Sequence, residues 1–233
     1  MLEAKILSRL LDYPQPDLWQ NAELIEQHIA ASTVFSSASK AGLFKLLNSL
    51  IEQDIMDAQE NYSLLFDRGR ALSLLLFEHV HGDSRDRGQA MVDLLGVYQN
   101  NGFELNAREL PDYIPLFLEY LSERPFSEVV EWVGDAAHIL GLLKARLEQR
   151  ECPYEAIFSA LLEWAGESVD LAPLRDTAAK EVRDDTLEAI DKIWEEEAVT
   201  FGGGGANGGC PSQQPTPART TSNVKWVDAA RAS

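Results

Sequence analysis

The sequence is poor in cysteine, and this scarcity excludes two kinds of site. Its two cysteines, Cys152 and Cys210, lie far apart in the chain and form no Cys-x-x-Cys pair. A disulfide scaffold and a thiolate metal site both need several closely spaced cysteines, so we expect neither. The composition fits a protein of a reducing compartment.

Long apolar runs are also missing. No stretch approaches the roughly 18 apolar residues that a membrane-spanning helix needs. The first seven residues do not place a basic region before an unbroken apolar one, as a secretory signal would. We therefore expect a cytoplasmic protein with no direct membrane insertion.

Basic residues are scarce relative to acidic ones. The chain has 20 Lys and Arg against 38 Asp and Glu, which gives a formal net charge of -18. Nucleic acid and anionic membranes would repel such a surface, so we expect neither as a partner. The charge suits a soluble partner with basic segments, or it serves solubility alone.

Signals for β-structure are weak, since the chain shows no convincing alternating strand and few hairpin turns before its last part. Helical periodicity dominates instead. We predict an all-α fold, with a single helical bundle domain over residues 1–197. Residues 198–233 are rich in Gly, Pro, Ser and Thr, which is typical of a flexible, disordered tail. Within this tail, Trp226 lies in a short apolar island.

Several helix boundaries can be predicted in the first part of the chain. One helix is expected over residues 2–12, and Asp17 is expected to cap the next. Residues 42–66 are again helical in pattern. They form either one long helix or two helices broken near Asp54, and the sequence leaves both alternatives open.

Two long helices are predicted in the second part of the chain. Ser127 is expected to cap a helix that continues to Leu147, because apolar residues recur there at alternating spacings of four and three. The last helix is expected over residues 174–197.

The most apolar predicted helix runs from Ala71 to Val80. A helix that is apolar nearly all round has to be buried, so we place it at the centre of the bundle. A further helix follows, with Asp83 or Ser84 as its cap and Tyr98 on its inward face. The predicted core includes Leu75, Leu76, Leu94, Leu95 and Leu140.

Charged and imidazole side chains crowd the end of the central helix. A metal site would need His79 and His81 to bind one ion together with Glu78 and Asp83. Residues two apart on a helix point in different directions, so this geometry requires the helix to end between them. Metal sites usually draw three or four ligands from separate elements, and no other cluster supplies the rest. A hydrogen-bonded helix end is the better interpretation, and we expect no metal.

The motifs of common enzymes are missing as well. The glycine run over residues 202–205 follows no strand and lacks the Lys-Ser/Thr pair of a phosphate loop. Neither a nucleophile elbow nor a credible Cys–His dyad is present. The charged clusters at residues 67–70 and 85–87 are typical of ion-pair networks within a protein more than of ligand sites.

Three segments carry a resemblance to a known family. They are Tyr62-Ser-Leu-Leu-Phe-Asp-Arg-Gly-Arg70, Ser73-Leu-Leu-Leu-Phe-Glu-His-Val-His-Gly-Asp-Ser-Arg-Asp-Arg-Gly-Gln-Ala-Met91, and Glu109-Leu-Pro-Asp-Tyr-Ile-Pro115. Over roughly residues 1–200 the chain resembles the NarJ-type molybdenum cofactor assembly chaperones of respiratory nitrate reductase. These belong to the NarJ/TorD/DmsD family of cytoplasmic chaperones for molybdoenzymes.

The resemblance implies a function. Family members are single helical domains without catalytic turnover, and we expect no permanently bound cofactor. They bind the N-terminal peptide of the apo catalytic (alpha) subunit and keep it competent for insertion of the molybdenum cofactor and an iron-sulfur cluster. Molybdenum cofactor biosynthesis proteins are further candidate partners. Two alternatives stay open: a sister chaperone for another molybdoenzyme, and a helical protein that binds a small molecule or nucleotide.

A client peptide that binds as an amphipathic helix needs an apolar groove with charges at its rim. The predicted client-peptide site consists of Tyr62, Leu65, Phe66, Asp67, Arg70, Asp112 and Tyr113, with Glu78, His79, His81, Asp83, Arg85 and Asp86 as a charged wall. The alternative is that the aromatic residues are plain core and the charges a solvated turn. If His79 or His81 lines the groove, peptide affinity should change near the imidazole pKa of about 6.5. A neighbouring carboxylate would raise that value.

Overall fold

A computed structural model describes residues 1–82, 84–105, 109–165, 169–186, 188–189 and 191. Within these ranges the backbone forms twelve α-helices and no β-strand, which confirms the predicted all-α class. In chain order the helices are α1 (Leu2–Leu11), α2 (Pro16–Gln20), α3 (Ala22–Ala31), α4 (Ser37–Ile51), α5 (Ile55–Phe66), α6 (Leu76–His81), α7 (Arg85–Asn100), α8 (Ile114–Ser122), α9 (Phe126–Asp135), α10 (Ala137–Gln149), α11 (Glu155–Trp164) and α12 (Leu171–Lys180).

Three packed helix pairs organise the bundle. Helix α1 lies along α8, and α10 packs against both α11 and α12. Apolar residues of α1 recur at helical spacing and are buried, including Leu7 and Leu11. Ser8 is a buried polar residue of the same face, and its hydroxyl donates a hydrogen bond of 2.7 Å to the Pro115 carbonyl. The α1–α8 contact is therefore both apolar and fixed in register.

The structure decides the alternative left open for residues 42–66 in favour of two helices. Asp54 begins α5 as its N-cap, and its carboxylate accepts the Met56 N–H at 2.9 Å. Capping by a short acidic side chain stabilises a new helix start, so the chain turns here instead of continuing α4. Asp17, by contrast, lies inside α2 and does not cap it, because Gln15 holds that position.

The prediction of one long helix from Ser127 to Leu147 is wrong in two respects. The helix starts at Phe126 after Pro125, and it breaks at Ala136 into α9 and α10. Gly134 and Asp135 precede the break, and both residue types have low helix propensity. The buried face was nevertheless predicted correctly, since Val129, Val133, Leu140, Leu143 and Leu147 are all in the core.

The central helix predicted over residues 71–80 begins only at Leu76. Residues 67–75, which we call the connecting loop, are not helical. Backbone groups of this loop bond to distant parts of the chain: the Leu74 carbonyl accepts the Ile114 N–H at 2.8 Å. Tertiary partners have therefore replaced the helical hydrogen bonds that the apolar pattern favours. Of the predicted core residues, Leu75 and Leu95 are partly exposed, whereas the other three are buried.

The last predicted helix is interrupted. Helix α12 ends at Lys180, residues 181–186 are not helical, and residues 188, 189 and 191 are helical again. The predicted boundary at residue 197 and the tail with Trp226 lie outside the described residues. None of the described helices combines the length and apolar character that crossing a membrane requires.

Candidate functional site

A pocket of about 620 Å³ opens where the C-terminus of α5, the connecting loop, α6 and the start of α8 meet. We call it the binding pocket. It is lined by apolar and aromatic residues with charged groups at the rim. The lining residues are Tyr62, Phe66, Asp67, Arg68, Gly69, Arg70, Ser73, Leu74, Leu75, Glu78, Glu109, Tyr113 and Asp184.

The aromatic side of the pocket is fixed by a chain of hydrogen bonds. The Tyr62 hydroxyl donates to the Leu11 carbonyl at 3.0 Å and lies 2.9 Å from the Tyr113 hydroxyl. Tyr113 in turn lies 3.1 Å from a carboxylate oxygen of Asp12, to which it donates. Burial raises the pKa of both tyrosines, so the phenols stay protonated and act as donors. The rings therefore present apolar surface in a fixed orientation.

Packing adds to this rigidity. The Tyr62 ring makes an edge contact with Tyr13 at 5.5 Å between centroids and packs against Phe66 at 4.8 Å. Phe66 makes a further edge contact with Tyr154 at 5.1 Å. Such aromatic pairs add stabilisation beyond the area that they bury. This side of the pocket is thus an extension of the hydrophobic core.

The opposite side carries Glu78, which reaches the pocket from the first turns of α6. Ser73 donates a hydrogen bond of 2.5 Å to one of its oxygens, and the Arg70 Nε atom lies 3.8 Å from the other. Asp67 and Glu109 are exposed at the rim. The rim therefore holds several carboxylates above an apolar floor.

The connecting loop is held by a charged clamp. The Ala71 N–H donates to Asp184 at 2.7 Å, and the Ala71 carbonyl accepts from Arg146 at 2.6 Å. The other guanidinium nitrogens of Arg146 bond both oxygens of Glu181 at 2.7 and 2.6 Å. A Cβ atom on Gly69 would come within 2.6 Å of the Asp184 carboxylate, so a side chain at this position would push that carboxylate away from its present place beside the Ala71 N–H.

Six of the predicted site residues meet at the binding pocket: Tyr62, Phe66, Asp67, Arg70, Glu78 and Tyr113. Leu65 is partly exposed and packs against the core, but it does not line the pocket. Arg85 and Asp86 are exposed in the first turn of α7, and His81 lies against the Phe77 ring; none of the three lines the pocket. Asp83 lies outside the described residues.

Two of the predicted site residues bond to the protein backbone instead of lining the pocket. Asp112 is fully buried, and its carboxylate accepts the Phe77 N–H at 3.0 Å, so it caps α6 from another part of the chain. The His79 Nε2 atom lies 2.7 Å from the Ser73 carbonyl, which only a protonated nitrogen can bond. Burial is the main cause that lowers the His79 pKa, whereas the sequence had suggested a rise.

Other residues at the pocket were missed by sequence reasoning. Glu109 belongs to a quoted motif and could have been included as the neighbour of Asp112. Asp184 lies 113 residues after Ala71, and no local pattern connects the two. Ser73, Leu74 and Leu75 fall within the helix predicted over residues 71–80, so the prediction did not place their non-helical backbone at the pocket.

Comparison with known proteins identifies the family. Residues 34–160 match the family model described as nitrate reductase delta subunit. The chain belongs to the nitrate reductase delta subunit family. It is 53% identical over 201 residues to the nitrate reductase molybdenum cofactor assembly chaperone NarJ of Escherichia coli K12, covering 86% of this chain and 85% of the relative.

Two further relatives extend this comparison. The probable nitrate reductase molybdenum cofactor assembly chaperone NarW of E. coli K12 is 45% identical, over 84% of this chain and 82% of the relative. The probable nitrate reductase molybdenum cofactor assembly chaperone NarJ of Bacillus subtilis 168 is 26% identical, over 67% of this chain and 84% of the relative. This chain and the three relatives therefore align along most of their lengths.

The family match covers every residue that lines the pocket except Asp184, and it covers the clamp only in part. Residues 34–160 contain α5, the connecting loop, α6 and α8, together with Arg146. Glu181 and Asp184 lie beyond this range. Among the described residues, no group of three or more His, Cys, Asp or Glu is placed to hold a metal ion. The pocket thus places apolar surface and charged groups side by side.

Proposed function

We propose that this chain is an assembly chaperone for the catalytic subunit of a respiratory nitrate reductase. It binds the N-terminal segment of the apo subunit in the cytoplasm and keeps the subunit competent for insertion of the molybdenum cofactor and an iron-sulfur cluster. The observation that carries the proposal is an apolar pocket with a charged rim, in the family-matched part of a chain whose relatives are named as such chaperones. The chain performs no catalytic step and holds no cofactor of its own.

The pocket geometry suits an amphipathic helical segment. Phe66, Leu74 and Leu75 offer apolar surface for side chains spaced three and four residues apart on one face of the segment. The rim charges set its orientation and association rate more than its affinity. Because the aromatic side is already fixed by Tyr62 and Tyr113, little side-chain entropy is lost on binding.

Deletion of the gene in its host tests the proposal. We expect the catalytic subunit still to be made, but without molybdenum cofactor and without nitrate reductase activity. The subunit should also co-purify with this chain when the two are expressed together. Full nitrate reductase activity in the deletion strain, with no related chaperone present, would contradict the proposal. Loss of a different molybdoenzyme activity instead would favour the sister-chaperone alternative.

Complementation links the function to the pocket. Leu75 and Leu95 are both partly exposed leucines, but only Leu75 lines the pocket. We expect Leu75→Ser to restore nitrate reductase activity poorly in the deletion strain, and Leu95→Ser to restore it well. If both variants restore nitrate reductase activity equally at equal protein levels, the pocket is not needed for the function.

A further inference from the structure

A second groove lies on the outer face of α8, next to the binding pocket. Its volume is about 590 Å³, and we call it the α8 groove. Its floor is apolar and aromatic, formed by Tyr98, Phe103, Leu105, Leu116 and Tyr120. The proposed function does not use this groove.

The floor of the α8 groove is a rigid aromatic corner. Phe103 meets the Tyr120 ring edge-on at 5.3 Å, and Tyr98 packs against Tyr120 at 4.7 Å. Asn101 donates to the Tyr120 hydroxyl at 3.1 Å, which fixes the ring further. The Arg124 guanidinium already lies 5.8 Å from the centre of the Tyr120 ring, so the floor offers a ligand chiefly apolar surface for alkyl chains.

The rim of the groove is acidic. Glu104, Glu119 and Glu123 line it, against a single lysine, Lys5. In the part of the chain that the structure describes, none of these three carboxylates forms an ion pair. Carboxylates left without cations beside an apolar floor complement a ligand that is both basic and apolar.

The α8 groove and the binding pocket are connected along one stripe of α8. Tyr113 lines the pocket at the start of the helix, while Leu116 and Tyr120 line the groove at positions three and seven residues further on. Asp12 of α1 accepts a hydrogen bond of 3.1 Å from Tyr113, which holds the start of this stripe in place. The pocket rim is acidic too, with four carboxylates against two arginines.

We infer that the α8 groove binds a basic, partly apolar continuation of the same polypeptide segment that occupies the binding pocket. This inference rests on the proposed function. A lysine or arginine of the segment pairs with the carboxylates of Glu119 and Glu123, and its alkyl stem covers Leu116. Tyr113 and Tyr120 are separated by about 10 Å along α8, so roughly seven helical residues bridge the two sites.

Binding of two client peptides tests this inference by calorimetry. The probes are peptides of about 15 and about 30 residues from the N-terminus of the host's own nitrate reductase catalytic subunit. The longer peptide adds about 22 Å even when it is fully helical, which is enough to reach the groove. A third probe is the longer peptide with the lysines and arginines of its added part changed to glutamine.

We expect the longer peptide to bind at least about fivefold more tightly than the shorter one at low salt, with the gain shrinking as salt rises. The double variant Glu119→Gln/Glu123→Gln should remove that gain and leave the shorter peptide's affinity unchanged. The matched control Glu23→Gln/Glu26→Gln removes two exposed carboxylates of α3, far from both sites in sequence, and should change neither affinity. The glutamine-substituted peptide should bind like the shorter one.

The outcomes separate the inference from the proposed function. The inference alone is overturned if the longer peptide binds no more tightly than the shorter one. It is also overturned if the gain in affinity survives either the double variant or the glutamine substitution in the peptide. Failure of both peptides to bind the wild-type chain overturns the proposed function as well. If the double variant melts early, Glu123→Gln alone serves instead, because Glu123 is exposed and its loss should still reduce the gain.

Discussion

The two sides of the binding pocket are held by different forces. Tyr62 and Phe66, on the aromatic side, are buried in the core. The connecting loop, on the other side, is held by Arg146 and Asp184 through hydrogen bonds and charge. Apolar burial is not screened by salt, whereas partly exposed charge interactions are. The aromatic side should therefore set global stability, and the loop side should respond to salt and pH.

The largest effect is expected on the aromatic side. Phe66→Ala removes a buried ring that packs against Tyr62 and Tyr154, and should lower the free energy of unfolding by about 3–5 kcal/mol. Urea denaturation at low and high NaCl should give the same loss. Leu24→Ala is the control, because Leu24 is 51% exposed and should cost less than about 1 kcal/mol. A loss for Phe66→Ala no larger than that of the control would contradict this assignment.

A smaller and salt-dependent effect is expected on the loop side. Arg146→Ala leaves the Ala71 carbonyl and the Glu181 carboxylate without their donor, and should cost about 2–3 kcal/mol. The cost should fall in high NaCl, as measured by urea denaturation.

Arg175 provides a matched control for this variant. Two of its guanidinium nitrogens donate to the two carboxylate oxygens of Glu148 at 2.8 and 3.0 Å. Its side chain, however, is 54% exposed. Arg175→Ala should therefore cost less than about 1 kcal/mol. Equal losses for the two arginine variants would mean that Arg146 does not clamp the loop.

The next effect concerns pH. His79 bonds the Ser73 carbonyl of the connecting loop, and burial lowers its folded-state pKa below the usual 6.5. The unfolded chain then binds more protons than the folded one, so stability is full above pH 6.5 and declines as pH falls below it. One group contributes at most about 1.4 kcal/mol per pH unit.

Comparison of variants isolates this contribution. His79→Gln should flatten the decline in stability between pH 6.5 and 5, measured by thermal melting. His138→Gln should leave the decline as it is, because His138 is exposed. An unchanged decline in His79→Gln would show that His79 does not titrate in this way.

The same contrast explains what the sequence could predict. Two rings of the aromatic side, Tyr62 and Phe66, lie one helical turn apart on α5, so the local pattern could indicate their burial. The loop side depends on Arg146 and Asp184, which are distant in sequence and carry no motif. The apolar run from Ala71 predicted a helix because no local signal shows that remote side chains take over the backbone bonds.

The charged wall shows a second limit of sequence reasoning. Glu78, His79 and His81 share one short helix, yet a helix directs neighbouring side chains to different sides. Glu78 faces the pocket, His79 bonds the loop backbone, and His81 lies against Phe77. Proximity in sequence therefore did not predict which of these side chains reach the pocket.

The smallest expected effect concerns the two exposed carboxylates that sequence reasoning treated alike. Asp67 lines the pocket rim, whereas Asp86 lies in the first turn of α7 and does not line it. Asp67→Asn should weaken binding of a client N-terminal peptide about two- to fivefold at low salt, since an exposed ion pair contributes less than about 1 kcal/mol. Asp86→Asn should leave the affinity unchanged.

Both variants should melt like the wild type, because neither side chain is buried. Calorimetric titrations at low and high NaCl measure this difference, and an equal loss in both variants would indicate a long-range charge effect instead of a contact at the rim.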